Sequence, residues 1–180
     1  QMLDNHTNQV QWVEYRIHPY TAGSGPGTNC DYGAGLDSVF RIYVNPTPWL
    51  TVDVPETVYC DSSTVEFTVT DGLVSATGER VYRVYRDYDP LNVHIEGENP
   101  GFDEDQTYSV TLSDEIRNLT SQVQTVTYTF KALIKDPRGD DPGYYCDQGG
   151  DTTIVITIIP TPRLAVDVAE TVYCDSSTVD

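Results

Sequence analysis

The stretch Val44 to Val65, VNPTPWLTVDVPETVYCDSSTV, returns at Ile158 to Val179 as IIPTPRLAVDVAETVYCDSSTV, and its cysteines set the offset at 174 − 60 = 114 residues. A second match joins Asn5-His6-Thr7-Asn8-Gln9-Val10 and Tyr15 to Asn118-Leu119-Thr120-Ser121-Gln122-Val123 and Tyr128, at 128 − 15 = 113 residues. Such a period is too long for a solenoid unit and matches an independently folding sandwich domain of about 100 residues. The 180 residues therefore read as the C-terminal part of one module (1–46), a complete module (47–160) and the N-terminal part of a third (161–180), expected to belong to a longer polypeptide.

Inside 47–160, apolar and polar residues alternate with the period of two that lays one strand face on a core. This predicts seven strands, at Leu50 to Val54, Val65 to Thr70, Arg80 to Tyr88, Leu91 to Ile95, Thr107 to Leu112, Val123 to Lys135 and Thr152 to Ile159. Gly, Pro and Asp clusters between them read as turns, and no stretch reads as a helix. The apolar residues are mostly Val, Ile, Tyr and Leu, with one Met, a palette suited to pleated surfaces. The expected fold is all-β, tandem immunoglobulin-like β-sandwich modules with seven strands in the complete one. Pro46-Thr47-Pro48 and Pro160-Thr161-Pro162 mark the boundaries, each a stiff extended linker that favours end-to-end stacking.

A formal net charge of −18 repels nucleic acid and anionic membranes, so nucleic-acid binding and membrane insertion are excluded as expectations. No apolar run approaches the roughly 18 residues of a membrane-spanning helix. Gln1 opens on no signal-peptide pattern, which says nothing against secretion.

Leu119 with Val126-Thr127-Tyr128, then Cys146, Ile154-Val155-Ile156-Thr157-Ile158, Pro160-Thr161-Pro162 and Tyr173-Cys174 together resemble the PKD-like repeats of Bacteroidota surface proteins. That family's pattern, LxN…TVTYTVTP…GC.G…VTVTVNPTP…ICSG, recurs in very long adhesins, among them those resembling gliding-motility adhesins exported by type IX secretion. The sequence departs from it where the Gly after the second cysteine is replaced by Ser62 or Ser176 behind an Asp, and where the loop before Cys146 is long and acidic. The resemblance implies extracellular spacer or adhesive modules and carries over no catalytic residue.

Two cysteines per module, Cys60 and Cys146 with counterparts Cys174 and Cys30, recur at fixed places and are expected to form disulfides rather than zinc ligands or nucleophiles. His6, His18 and His94 are scattered, and no C-x-x-C pair occurs. In an immunoglobulin topology Cys60 and Cys146 lie at opposite ends, beyond the roughly 7 Å that bonded Cα atoms tolerate. Bridges are then expected between the Cys60-type loop of one module and the Cys146-type loop of the next, with no partner pair inside these 180 residues.

Asp87, Asp89, Asp103, Glu104, Asp105, Asp140 and Asp141 are candidate oxygen ligands for calcium, the one cofactor left open. Their spacing fits no calcium-loop template, and the alternative is a set of solvated loops. Arg138-Gly139-Asp140 spells an integrin-type tripeptide and reads as a chance match. Asn5 and Asn118 begin N-glycosylation sequons, with chain capping as the alternative. Ser38 and Thr152 follow Asp in the pattern of Bacteroidota O-glycosylation acceptors, or simply start strands. No nucleophile elbow, phosphate loop or metal-binding helix is present, so no enzyme is expected.

The functional expectation is a structural or adhesive repeat segment, an extended stalk on the cell surface whose partners are neighbouring modules of its own chain. Self-association into a filament is a further option. The alternative is a module that binds a surface glycan or protein through its acidic loops and exposed aromatics such as Tyr82, Tyr85, Tyr88, Tyr144 and Tyr145.

Overall fold

Val65, Phe67 and Val69 alternate with Glu66, Thr68 and Thr70, and in the computed structural model the first three are buried while the second three face water. The structure describes residues 2–21, 25, 30–31, 37–98, 101–102, 105–135 and 145–166, and among them there is no helix. In chain order the strands are β1 Gln11–Ile17, β2 Tyr20–Thr21, β3 Cys30–Asp31, β4 Ser38–Val44, β5 Leu50–Asp53, β6 Val58–Cys60 and β7 Ser63–Asp71. They continue as β8 Arg80–Asp87, β9 Val93–Ile95, β10 Gly101–Phe102, β11 Leu112–Asn118, β12 Gln124–Lys135, β13 Tyr145–Cys146 and β14 Thr152–Ile159.

One sheet runs β5-β7-β11-β9 and the other β10-β8-β12-β14-β6, with β13 on the end of β12. All pairings are antiparallel except β14 with β6. The sheets form a sandwich around one core that takes Val65, Phe67, Ile95 and Ile116 from the first and Tyr82, Val84, Val126, Tyr128, Phe130, Ile156 and Ile158 from the second. Phe67 crosses the gap, its ring 4.6 Å from that of Tyr128 and 5.3 Å from that of Phe130. Offset ring contacts of this kind add about 0.5–1.5 kcal/mol each to the burial of apolar area.

Six of the seven expected strands lie largely on observed ones, whereas Thr107 to Leu112 shares only Leu112 with an observed strand. The strand is β11, at Leu112–Asn118, whose inward positions are Leu112, Asp114, Ile116 and Asn118. Two polar residues on the inner face break the apolar alternation, so the sequence pattern hides it. The short β6, β10 and β13 were not expected, because two or three residues carry too little periodicity to read.

Ahead of the complete sandwich, β1 and β4 form a hairpin whose register is that of β12 and β14 shifted by the repeat. Val13 pairs with Ile42 and Tyr15 with Phe40, as Val126 pairs with Ile156 and Tyr128 with Ile154. The core positions Val126, Tyr128 and Ile156 have no exposure, whereas Ile42, the counterpart of Ile156, is 40 % exposed.

Candidate functional site at the module junction

Asn has both a carbonyl and an amide to offer, so one side chain can close a turn and tie it to a second strand. Asn118 does this at the end of β11. Its Nδ2 donates to the carbonyls of Gln122 at 2.7 Å and Ile158 at 3.0 Å, and its Oδ1 accepts from the backbone N–H of Thr120 at 2.9 Å. Asn5 repeats the arrangement, donating to Gln9 at 2.9 Å and Val44 at 2.8 Å and accepting from Thr7 at 3.0 Å. In both turns the threonine hydroxyl donates to the Asn Oδ1, and a glutamine amide reaches that hydroxyl, from Gln11 to Thr7 and from Gln124 to Thr120. The same knot thus closes the end of the β1–β4 hairpin and the end of the complete sandwich.

The first knot rests on the loop between β7 and β8. Val74 donates its N–H to the Asn8 carbonyl at 2.8 Å, and Val10 donates to the Ser75 carbonyl at 3.0 Å. Asn45, one residue past β4, donates to the Thr77 carbonyl at 3.0 Å and accepts from the Thr77 N–H at 2.7 Å and hydroxyl at 2.9 Å. Pro46 and Pro48 are buried at this contact while Thr47 and Trp49 are exposed. Two glycines permit the fit. A Cβ on Gly149 would stand 2.0 Å from the Pro48 carbonyl oxygen, and one on Gly72 would stand 2.1 Å from the Trp49 ring. The junction is therefore a packed, hydrogen-bonded interface.

At the opposite end Asp61 gathers three segments. Its carboxylate accepts from the Asn118 N–H at 2.8 Å and from the Thr161 hydroxyl at 2.6 Å, and its own N–H donates to the Ile159 carbonyl at 2.9 Å. The hydrogen bond from Thr161, then that from Asn118, holds the Asp61 carboxyl below the usual carboxylate range. Ser121 and Val123, the counterparts of the docked Asn8 and Val10, stand exposed there. Ser62 at this end carries a left-handed φ of 61°, the position where the resemblance led to a glycine.

Cys60 ends β6 opposite Ile159, and Cys146 lies in β13 opposite Ile134. Ile158 pairs with Gln124, so the cysteines are separated along β12 by about ten residues, roughly 33 Å at strand rise. Both are free thiols, Cys60 exposed and Cys146 half-buried, with Asn45 Nδ2 4.0 Å from Cys146 Sγ. Cys30 belongs to β3, its side chain outside the described residues, and Cys174 lies outside them altogether.

Of the carboxylates singled out for calcium, Asp87, Asp89 and Asp105 are among the described residues, and they form no metal-holding group there. Asp105 is the centre of an ion-pair cluster, engaged by Arg83 Nε at 2.7 Å, the Tyr145 hydroxyl at 2.8 Å and Lys135 Nζ at 3.1 Å. Burial resists ionisation of Asp105, and these three donors together outweigh it, leaving its carboxyl below the usual range. Asp89 caps a turn, accepting from Leu91 N–H at 2.9 Å and Asn92 Nδ2 at 2.8 Å, and Asp87 is exposed at the end of β8. Among the described residues no group of three or more His, Cys, Asp or Glu is placed to hold a metal ion. Asp103, Glu104, Asp140 and Asp141 lie outside those residues, as does the Arg138-Gly139-Asp140 tripeptide.

The sequon asparagines both cap the chain, the alternative the sequence offered. Asn5 is 8 % and Asn118 6 % exposed, and each amide nitrogen donates twice to backbone carbonyls. Ser38 is exposed and Thr152 half-buried, each the first residue of its strand. Of the tyrosines considered as an exposed platform, Tyr82 is buried in the core and Tyr88 is partly buried, its hydroxyl donating to the Glu98 carbonyl at 3.2 Å. Tyr85 is half-buried, Tyr145 lies under the Arg83 guanidinium at 4.6 Å, and Tyr144 falls outside the described residues.

Sequence reasoning passed over Asn45, Thr77, Gly72 and Gly149. A signal existed for one of them: Cys146-Asp147-Gln148-Gly149 repeats Cys30-Asp31-Tyr32-Gly33. Asn45 has no such signal, because its counterpart in the repeat is Ile159.

No family model and no curated protein matches the chain. Among solved structures it is similar to the crystal structure of the S-layer protein SbsC domains 4 and 5, at 13 % identity and a TM-score of 0.32. The likeness covers 68 % of this chain and spans 59 % of that one.

Proposed function

We propose that this chain is a segment of a tandem array of immunoglobulin-like, PKD-like modules that acts as an extended structural or adhesive stalk of a secreted bacterial surface protein. The observation that carries the reading is the asparagine knot that recurs at the repeat offset, its first copy docked on the sandwich through Asn8, Val10 and Asn45 and its second copy carrying Ser121 and Val123 at the positions of Asn8 and Val10. One surface is thus used head-to-tail, and a heterologous contact that does not close on itself propagates into a thread. Buried linker prolines and the Asn45–Thr77 hydrogen bonds make each step stiff. The strand order β5-β7-β11-β9 against β8-β12-β14 supports the immunoglobulin-like part of the reading, since it follows the four-on-three arrangement of that fold. The acidic surface keeps parallel threads soluble and apart.

In this reading the chain performs no catalysis, and its partners are its own neighbouring modules. Electron microscopy of the native full-length protein tests it. The expected result is a thin rod with a repeat of about 40 Å, the span of a 12-residue strand such as β12. A compact particle, or beads at random angles, overturns it.

A further inference from the structure

Cys60 is the register partner of Ile159 in the parallel β6–β14 pairing, and paired residues of neighbouring strands point to the same face about 4.8 Å apart. Asn45 is the residue that stands where Ile159 stands. Val44 and Ile158, one position earlier, each accept a hydrogen bond from the asparagine of their own knot. A β6 strand in the preceding module, paired as β6 is here, therefore sets its cysteine beside Asn45 and on the face of the Asn45 side chain. That same side chain points its Nδ2 at Cys146 Sγ, 4.0 Å away. Cysteines from consecutive modules thus flank one asparagine, and a bond between them needs their Cα atoms within roughly 4.4–6.8 Å.

On these positions we infer that Cys146 forms a disulfide with the Cys60 counterpart of the module before it, and Cys60 with the Cys146 counterpart of the module after it. The proposal rests on the tandem-array reading and adds a covalent link at every junction. Each pair of thiols gives up two protons and two electrons as the sulfur–sulfur bond forms. A thiol–disulfide oxidoreductase accepts them by exchange, its own disulfide leaving as a dithiol. An intramodule bridge is excluded by the roughly 33 Å between the two ends.

The test is peptide mapping of the native full-length protein, alkylated under non-reducing conditions. The expected product joins the Cys146 peptide to a Tyr-Cys-Asp peptide of the preceding module, and the Cys60 peptide to a Cys-Asp-x-Gly peptide of the following one. A Cys60–Cys146 link, a link between two cysteines of the same type, or alkylation of both as free thiols overturns the inference. Electron microscopy of the same preparation separates the two levels. Rods with alkylated thiols overturn the staple and leave the array standing, whereas compact particles overturn both.

Discussion

Arg86 on β8 and Asp114 on β11 join the two sheets through a doubly hydrogen-bonded ion pair, Nε to Oδ2 at 2.6 Å and a second guanidinium nitrogen to Oδ1 at 2.9 Å. The side chains are 0 % and 2 % exposed, and the guanidinium lies 5.9 Å from the Tyr128 ring. Burial, reinforced by the charge of Asp114, drives the Tyr128 phenol far above its ordinary range.

Breaking that pair from one side strands a charge in the core. Asp114→Ala is expected to lower unfolding stability by about 3–5 kcal/mol. The double substitution Arg86→Met with Asp114→Leu should recover most of the loss, since apolar residues of similar volume replace a buried pair at little cost. Urea unfolding of the three variants measures both. An Asp114→Ala variant as stable as the parent would show that the pair is not buried in solution.

The asparagine knot is sensitive to chemistry as well as to size. Asn118→Asp removes the amide that donates to Gln122 and Ile158, and it should destabilise as much as Asn118→Ala, by about 1–3 kcal/mol. If Asn118→Asp melts with the parent, the amide bonds contribute nothing. Intact mass after expression in a glycosylating host should find Asn118 unmodified.

Gly149 and Gly72 are held by close approach. Gly149→Ala forces the Pro48 carbonyl to move and should cost about 1–3 kcal/mol, as overpacking does. Its readout is faster proteolysis at 46–48, whose two prolines are buried at the contact. Unchanged cleavage would mean that the linker is already mobile.

Acid should loosen the C-terminal end of the sandwich. The Asp61 carboxyl is depressed when folded, so its contribution is full above the unfolded carboxylate value and is lost as pH falls through the folded one. The same sign holds for Asp105. Melting temperature should therefore drop below about pH 4, and Asp61→Asn should flatten part of that drop. An identical acid limb in Asp61→Asn would remove Asp61 from the transition.

Legibility followed periodicity. β7, with Val65, Phe67 and Val69 inward, was open to reading because three apolar residues in alternation have one efficient way to be buried. β11 was not, since its inward Asp114 is tolerable only opposite Arg86, a partner 28 residues away in the chain. Asn118 looked like a sequon until its amide was seen to be spent on two carbonyls.

What the sequence alone determined is the repeat, its length and the all-β character, because self-similarity and alternation are local properties of the chain. What only the tertiary structure decided is which residues meet. Asn45 touches Cys146 across 101 residues, and Thr161 reaches Asp61 across 100. Such contacts depend on strand register and on how one sheet end seats on another, and a change of one residue in register would turn each side chain to the opposite face.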